Sequence, residues 1–296
     1  MLNHRGVTHS LVLLPAWAFA VAWLLAKLLR EPDRKDGTAG WRALYGICAT
    51  AIGLHIAGDV ITSYGTMIFA PLSDWRAAIG TTFIIDLWFS GIIVAGLLVS
   101  IVFRNSRAVS LGALGVLVAY VGFQYAQKER ALDFAARYVA QKGMQRMSLD
   151  AQPRPVSPFN WTVFASDERA HRFAHINLER EEPKRYQPGD GFVARVDSPY
   201  LPPGQAIWLT RTRYGELDEA RHREAWNSEA LGFFRWFAAL PAFDGVSEAG
   251  RCVWFVDLRF ATPGRAAMPF QFGACREAGA WRAYERRDAV KPGILP

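Results

Sequence analysis

His55 and Asp59 stand four residues apart, which places both side chains on one face of a helix. Thr62 follows on roughly that face. The surrounding stretch is apolar from Trp41 to Ile61. In such a segment an imidazole and a carboxylate together cost on the order of several kcal/mol unless something pairs with them. A divalent cation is one such partner, and neutral imidazoles with a carboxylate suit zinc or a similar ion. His4 and His9 precede the first apolar segment and are placed to complete the set from the same membrane face. A buried His–Asp hydrogen-bonded pair with no ion is the other reading, and spacing leaves both open. With an ion present, the chemistry is metal-assisted hydrolysis. Asp59, where it does not ligate, or Asp74 then serves as general base. Asp86 reads as a cap or an orienting group rather than a ligand.

The elements that must position these residues are membrane helices. Four apolar segments approach the ~20 residues that a bilayer requires: about Leu11–Leu29, Trp41–Ile61, Ile79–Phe103 and Val109–Tyr125. The connection between the first two carries Lys27, Arg30, Arg34, Lys35 and Arg42. That between the last two carries Arg104 and Arg107, whereas the middle connection holds only Arg76. Excess Lys and Arg mark cytoplasmic loops. The N-terminus, the middle connection and everything after the fourth segment are therefore expected outside. The site residues then gather in the outer half of the bundle. Cys48, in mid-segment, is expected to be a small packing residue.

Beyond Gln127 the composition changes: charges become dense and prolines return. The expected fold class is an α-helical transmembrane bundle of about four spans followed by a small, mostly β soluble domain. Its divisions are 1–127 for the membrane part, 128–150 for a polar helix and linker, and 151–296 for the β-rich domain. Asp150–Pro158 reads as a proline-rich linker. Strands are expected at Trp161–Ala165, His171–Asn177, Phe192–Val196, Ala206–Thr210, Val253–Phe260 and Met268–Gly273. A single helix is expected over Ser228–Leu240. His171 and His175 also stand four apart, but on a strand that spacing separates them by about 13 Å, too far to share an ion. His222, within Arg221-His222-Arg223-Glu224, reads as solvated. A hairpin turning at Pro263-Gly264 sets Cys252 opposite Cys275, either as a disulfide or as two free thiols in a β core; an extracytoplasmic location permits oxidation.

The chain carries a formal net charge of +7. Arginine is interleaved with Glu and Asp in the C-terminal half instead of forming a basic stripe, so a nucleic-acid partner is not expected. No Walker-type or dinucleotide-type glycine motif is present, which argues against those nucleotide folds.

Two motifs carry a family resemblance. His4-Arg5-Gly6-Val7-Thr8-His9-Ser10 reads HRGxTHS. Downstream, His55-x-x-x-Asp59 leads into Thr62-Ser63-Tyr64-Gly65-Thr66 and then Pro71-Leu72-Ser73-Asp74-Trp75-Arg76. In this order they resemble the YdjM-like family of membrane-bound metal-dependent hydrolases, of the LexA-regulated inner-membrane type, over roughly residues 3–90. Ser157-Pro158-Phe159-Asn160-Trp161, Asp257-Leu258-Arg259-Phe260 and Pro269-Phe270 are similar to the tail of long members. The resemblance implies a multi-pass protein of the bacterial inner membrane. It implies His4, His9, His55 and Asp59 as ligands, Arg5 and Arg76 as holders of an anionic substrate group, and a phosphoester or lipid-type substrate at the outer face. Long members also carry a THxxxG-like histidine and a PDxD-like acidic motif ahead of the HRG stretch. Here His4 is the fourth residue, so either the start is misassigned or this member lacks those ligands. A non-enzymatic membrane protein with a structural or sensory metal or polar site is the alternative.

Overall fold

The computed structural model describes residues 5–29, 40–247, 250–263, 268–286 and the backbone of 292–294. Two compact units divide the chain, Met1–Ile84 and Ile85–Pro296.

In the first unit a 3-10 turn, Val7–His9, precedes helices α1 (Leu14–Leu28) and α2 (Gly40–Val60). Pro15 sits in the first turn of α1, where its missing N–H removes no intrahelical bond. Ala18 and Ala22 are fully buried against Cys48; small side chains let two apolar helices approach closely. The connection after α2 folds back on the N-terminal segment. Met67 N–H donates to Arg5 O and Leu11 N–H to Ile68 O, each at 2.9 Å, while Thr66 and Ala77 exchange backbone bonds. The expected cations Arg30, Arg34 and Lys35 lie outside the described residues.

The second unit opens with α3 (Leu87–Val102) and α4 (Arg107–Gln141). The sequence expectation started this third segment at Ile79; the helix begins at Leu87. Asp86 is the reason: its Oδ1 accepts from the Trp88 and Phe89 amides, both at 2.9 Å, taking up donors at the helix start that have no intrahelical partner. Tyr120 of α4 donates its hydroxyl to the same carboxylate at 3.0 Å. Among the described residues two helices, α2 and α4, are long and apolar enough to cross a membrane; α1 and α3 have 15 and 16 residues. The polar half of α4 continues unbroken, and Ala131 and Ala135 pack on Trp161, Val163, Ala174 and Ile176.

Two antiparallel sheets follow. The first has the order β1 (Ser148–Pro153), β2 (Asn160–Ser166), β3 (Ala170–Asn177) and β4 (Leu209–Thr212). The second has β5 (Pro241–Val246), β6 (Cys252–Asp257), β7 (Gln271–Glu277), β8 (Ala280–Arg286) and β9 (Pro292–Ile294). Three short helices interrupt the strands: α5 (Phe192–Asp197) between β3 and β4, and α6 (Glu219–Asn227) and α7 (Gly232–Phe237) between β4 and β5. Cys252 and Cys275 face each other in register and are joined as a disulfide. Gly264, expected to turn that hairpin, lies outside the described residues.

Several expectations for this part require correction. The proposed linker is in part a strand: β1 pairs with β2 from Ser148↔Ser166 to Pro153↔Trp161. Pro153 is tolerated because it ends an edge strand. Phe192–Val196 is helical, because burial turns Val196 and Asp197 inward together. Asp197 is then fixed by Asn160, Arg180 and Lys184 at 2.8–2.9 Å. The fourth strand starts at Leu209, not Ala206. Ser228–Leu240 holds only a 3-10 turn and α7, since the chain must turn into β5 at Pro241. His222 is buried, its ring stacked on Phe243 and its Nδ1 donating to Tyr214 O. His171 and His175 do lie on β3, with separate partners: Ser166 and Pro241 O for His171, Thr162 for His175.

Candidate metal centre

The last turns of α2 present His55 and Asp59 at the helical spacing anticipated above. The N-terminal segment brings His9 to them. His9 N–H closes the 3-10 turn on Gly6 O at 2.8 Å. Arg5, just before it, has φ of 56°, a left-handed conformation that costs a non-glycine residue on the order of 1 kcal/mol. Two anchors hold it there. Its carbonyl accepts from Met67, and its guanidinium is bound to α2. Nη2 lies 3.0 Å from Asp59 Oδ1, and Nη1 donates to Thr62 Oγ1 at 2.8 Å. The Tyr64 ring lies under the same guanidinium, 4.7 Å away. Thr62 in turn donates to Asp59 O at 2.7 Å.

With Oδ1 taken by Arg5, the other carboxylate oxygen is left over. Asp59 Oδ2 is buried and has no hydrogen-bond donor among the described residues. Buried polar atoms in that condition call for an explanation. The atoms nearest it supply one: His9 Nε2 lies 3.4 Å away, His55 Nε2 3.9 Å, and the two ring nitrogens are 3.2 Å apart. Ligand atoms about 2.0–2.1 Å from a tetrahedral ion lie roughly 3.3 Å from each other. Two imidazole nitrogens and a carboxylate oxygen at such separations form a donor set that fits a zinc-like ion. His9 Nδ1 contacts Thr8 Oγ1 at 2.8 Å. If Nδ1 donates there, Nε2 keeps its lone pair, as groups hydrogen-bonded to metal-bound histidines commonly arrange. The group opens toward His55: side-chain exposure is 12% at Asp59, 22% at His9 and 65% at His55.

Of the residues expected in the site, His9, His55 and Asp59 converge within 4.8 Å. His4 lies outside the described residues. Asp74 is exposed on the connection after α2 and stands apart from the converging group. Arg76 packs at Gly65. A Cβ there would come within 3.1 Å of the Arg76 Cβ, and Gly65 has φ of +91°, so glycine is required on both counts. Arg5 departs from its expected part, since its guanidinium serves Asp59 rather than an open pocket. Thr8 and Tyr64 were not singled out by sequence reasoning. For Thr8 the available signal is its place directly beside His9, a candidate ligand.

No curated protein and no solved structure matches the chain. Residues 1–131, which carry His9, His55 and Asp59, match the family model described as YdjM inner membrane protein.

Proposed function

We propose that the protein is a membrane-bound, metal-dependent hydrolase acting on a phosphoester or lipid-type substrate at the outer membrane face. One observation carries the reading: two imidazole nitrogens converge on a buried carboxylate oxygen that has no hydrogen-bond donor among the described residues. His9, His55 and Asp59 would hold the ion, and zinc suits their chemistry. Such an ion, when bound, lowers the pKa of water toward ~7 and polarises a scissile oxygen. The chain's own residues do the rest. Arg5, itself held by Thr62, fixes the Asp59 carboxylate so that Oδ2 faces the ring nitrogens. Thr8 sets the His9 ring. The exposed flank of His55 leaves room for a substrate to approach.

The finer membrane arrangement belongs to the same proposal. All four apolar helices span, with α1 and α3 extended by flanking apolar residues. Their outward faces carry exposed Leu24, Leu28, Leu97, Leu98 and Val102, which suits lipid contact rather than water. The β-rich domain is extracytoplasmic. Arg104 and Arg107 between α3 and α4 support that orientation, and so does the Cys252–Cys275 disulfide, a bond that persists in oxidising compartments.

The test is metal content of the purified protein, then turnover of generic phosphoesters with and without chelator. We expect bound zinc, turnover abolished by chelator, and loss of both in His55→Ala at unchanged membrane insertion. Metal without turnover would favour a structural or sensory site. Wild-type protein that retains no ion, with activity indifferent to chelator and to every histidine substitution, refutes the assignment.

A further inference from the structure

The connection that follows α2 has its polarity reversed. Thr66 and Thr81 are fully buried, and Thr62 and Thr82 nearly so. Large apolar side chains point outward: Leu72 is 80% exposed, Trp75 56%, Phe69 45%, and Ile79 is also exposed. Phe69 and Trp75 stack on each other at 5.9 Å, which makes one continuous apolar ridge. Soluble proteins seldom leave a cluster of this kind in water. Among the described residues the Thr66 hydroxyl has no hydrogen-bond partner, but the backbone around it is paired. Thr81 Oγ1 donates to Ile61 O at 3.2 Å, and backbone N–H groups of Thr66, Ala77, Ile79 and Thr81 are all bonded within the unit. Irregular backbone with its hydrogen bonds satisfied internally and its apolar side chains outside is suited to a lipid surface. Asp74, exposed between Leu72 and Trp75, limits the depth: a carboxylate tolerates the headgroup layer and not the acyl core. Tryptophan favours that same level.

We propose that this connection is seated in the interfacial layer of the bilayer. Phe69, Leu72, Trp75 and Ile79 lie against the upper acyl chains, with Asp74 among the headgroups. The partner is the lipid surface itself. The connection is hydrogen-bonded to the N-terminal segment at Arg5 and Leu11, so the His9–His55–Asp59 group lies at headgroup depth. A substrate reaches it from the lipid phase, which selects amphiphiles over free soluble esters. This inference rests on the membrane reading of α2 given above.

The experiment uses the full chain in phospholipid vesicles, with single nitroxide labels on cysteine variants. The background is Cys48→Ala with the native disulfide retained, so only the introduced thiol reacts. Labels go at Leu72→Cys, Phe69→Cys and Trp75→Cys. Ile47→Cys, exposed on α2, is the lipid reference, and Leu217→Cys, exposed beyond α4, is the aqueous reference. Collisional relaxation by oxygen, which partitions into lipid, is compared with that by a water-soluble nickel chelate. We expect the three connection labels to follow Ile47, with oxygen the stronger relaxer, and Leu217 to show the reverse. Connection labels that follow Leu217 while Ile47 stays lipidic overturn the inference and leave the membrane reading standing. Labels shielded from both reagents overturn it as well, because protein then covers the ridge. An aqueous Ile47 removes the membrane reading together with the inference.

Discussion

At the scale of single residues, the candidate centre depends on how one carboxylate divides its two oxygens. Arg5 takes Oδ1 at 3.0 Å, and Oδ2 remains for the two imidazoles. A carboxylate left free to rotate would present either oxygen and hold an ion less well. Thr8 does the corresponding work for His9 through the 2.8 Å contact at Nδ1. Loss of such supporting partners typically costs about 10–100-fold in metal affinity. Thr8→Val should therefore weaken zinc binding by roughly tenfold or more without disturbing the fold, as measured by competition with a chromophoric chelator. Affinity equal to wild type would mean that the threonine does not orient the ring. Arg5→Met has a different expected signature. Removing one partner of a buried ion pair costs about 3–5 kcal/mol, so the metal-free protein should lose stability in a detergent-solubilised melt, and added zinc should restore part of the loss by neutralising Asp59. An Arg5→Met protein as stable as wild type without metal contradicts a stabilising Arg5–Asp59 pair.

At the scale of elements, close helix contacts give a sharp contrast between two glycines. A Cβ built on Gly96 of α3 would lie 2.9 Å from the Ala113 Cβ of α4, whereas one on Gly112 meets nothing within 4 Å. Gly96→Ala should separate the two helices and lower the unfolding midpoint in a detergent titration, by about 1–3 kcal/mol as for other overpacked contacts. Gly112→Ala should be neutral, or stabilising by up to about 1 kcal/mol from helix propensity. Equal effects at both positions would show that α3 and α4 do not meet at Gly96. This pair also shows what a sequence can and cannot convey. The His55–Asp59 face follows from helical periodicity alone, and the β2 and β3 strands from alternation. The arrival of Arg5 on Asp59, across 54 positions, has no local signal, because it is set by the connection folding back through Met67. Phe192–Val196 has strand-like composition but is wound into a helix by the anchoring of Asp197. His222 sits in a charged run, and only the stacking on Phe243 reveals why it is buried. Local periodicity was readable at His55–Asp59 and in β2 and β3; the distant partners that set Arg5, Asp197 and His222 were not.

At the scale of the whole molecule, the β-rich part carries buried ionisable groups that tie its stability to pH. His175 is pushed down to about 3, first by burial and then by the neighbouring Arg154 charge. Burial also lowers His171, against the raising effect of its bond to Pro241 O. Both rings are therefore neutral in the folded chain over a range where the unfolded chain, with a histidine pKa near ~6.5, is protonated. Stability is complete above that value and falls as the pH drops below ~6.5, by up to about 1.4 kcal/mol per pH unit for His175, with His171 acting in the same direction. Burial also raises Asp197, but Asn160, Lys184 and Arg180 outweigh it and hold the carboxyl below its usual range. Its contribution persists above the ordinary aspartate pKa and disappears only as the pH falls through the lowered one. Asp244, raised mainly by burial, works the other way at the acidic end, though as one group against two histidines it cannot reverse the slope. Chemical unfolding of the solubilised chain should therefore show the β-rich transition moving to lower denaturant between pH 7 and pH 4. His175→Gln should flatten that dependence by about one histidine's share. A transition that stays put across this range, or a His175→Gln slope equal to wild type, would mean that the rings are solvated and titrate normally.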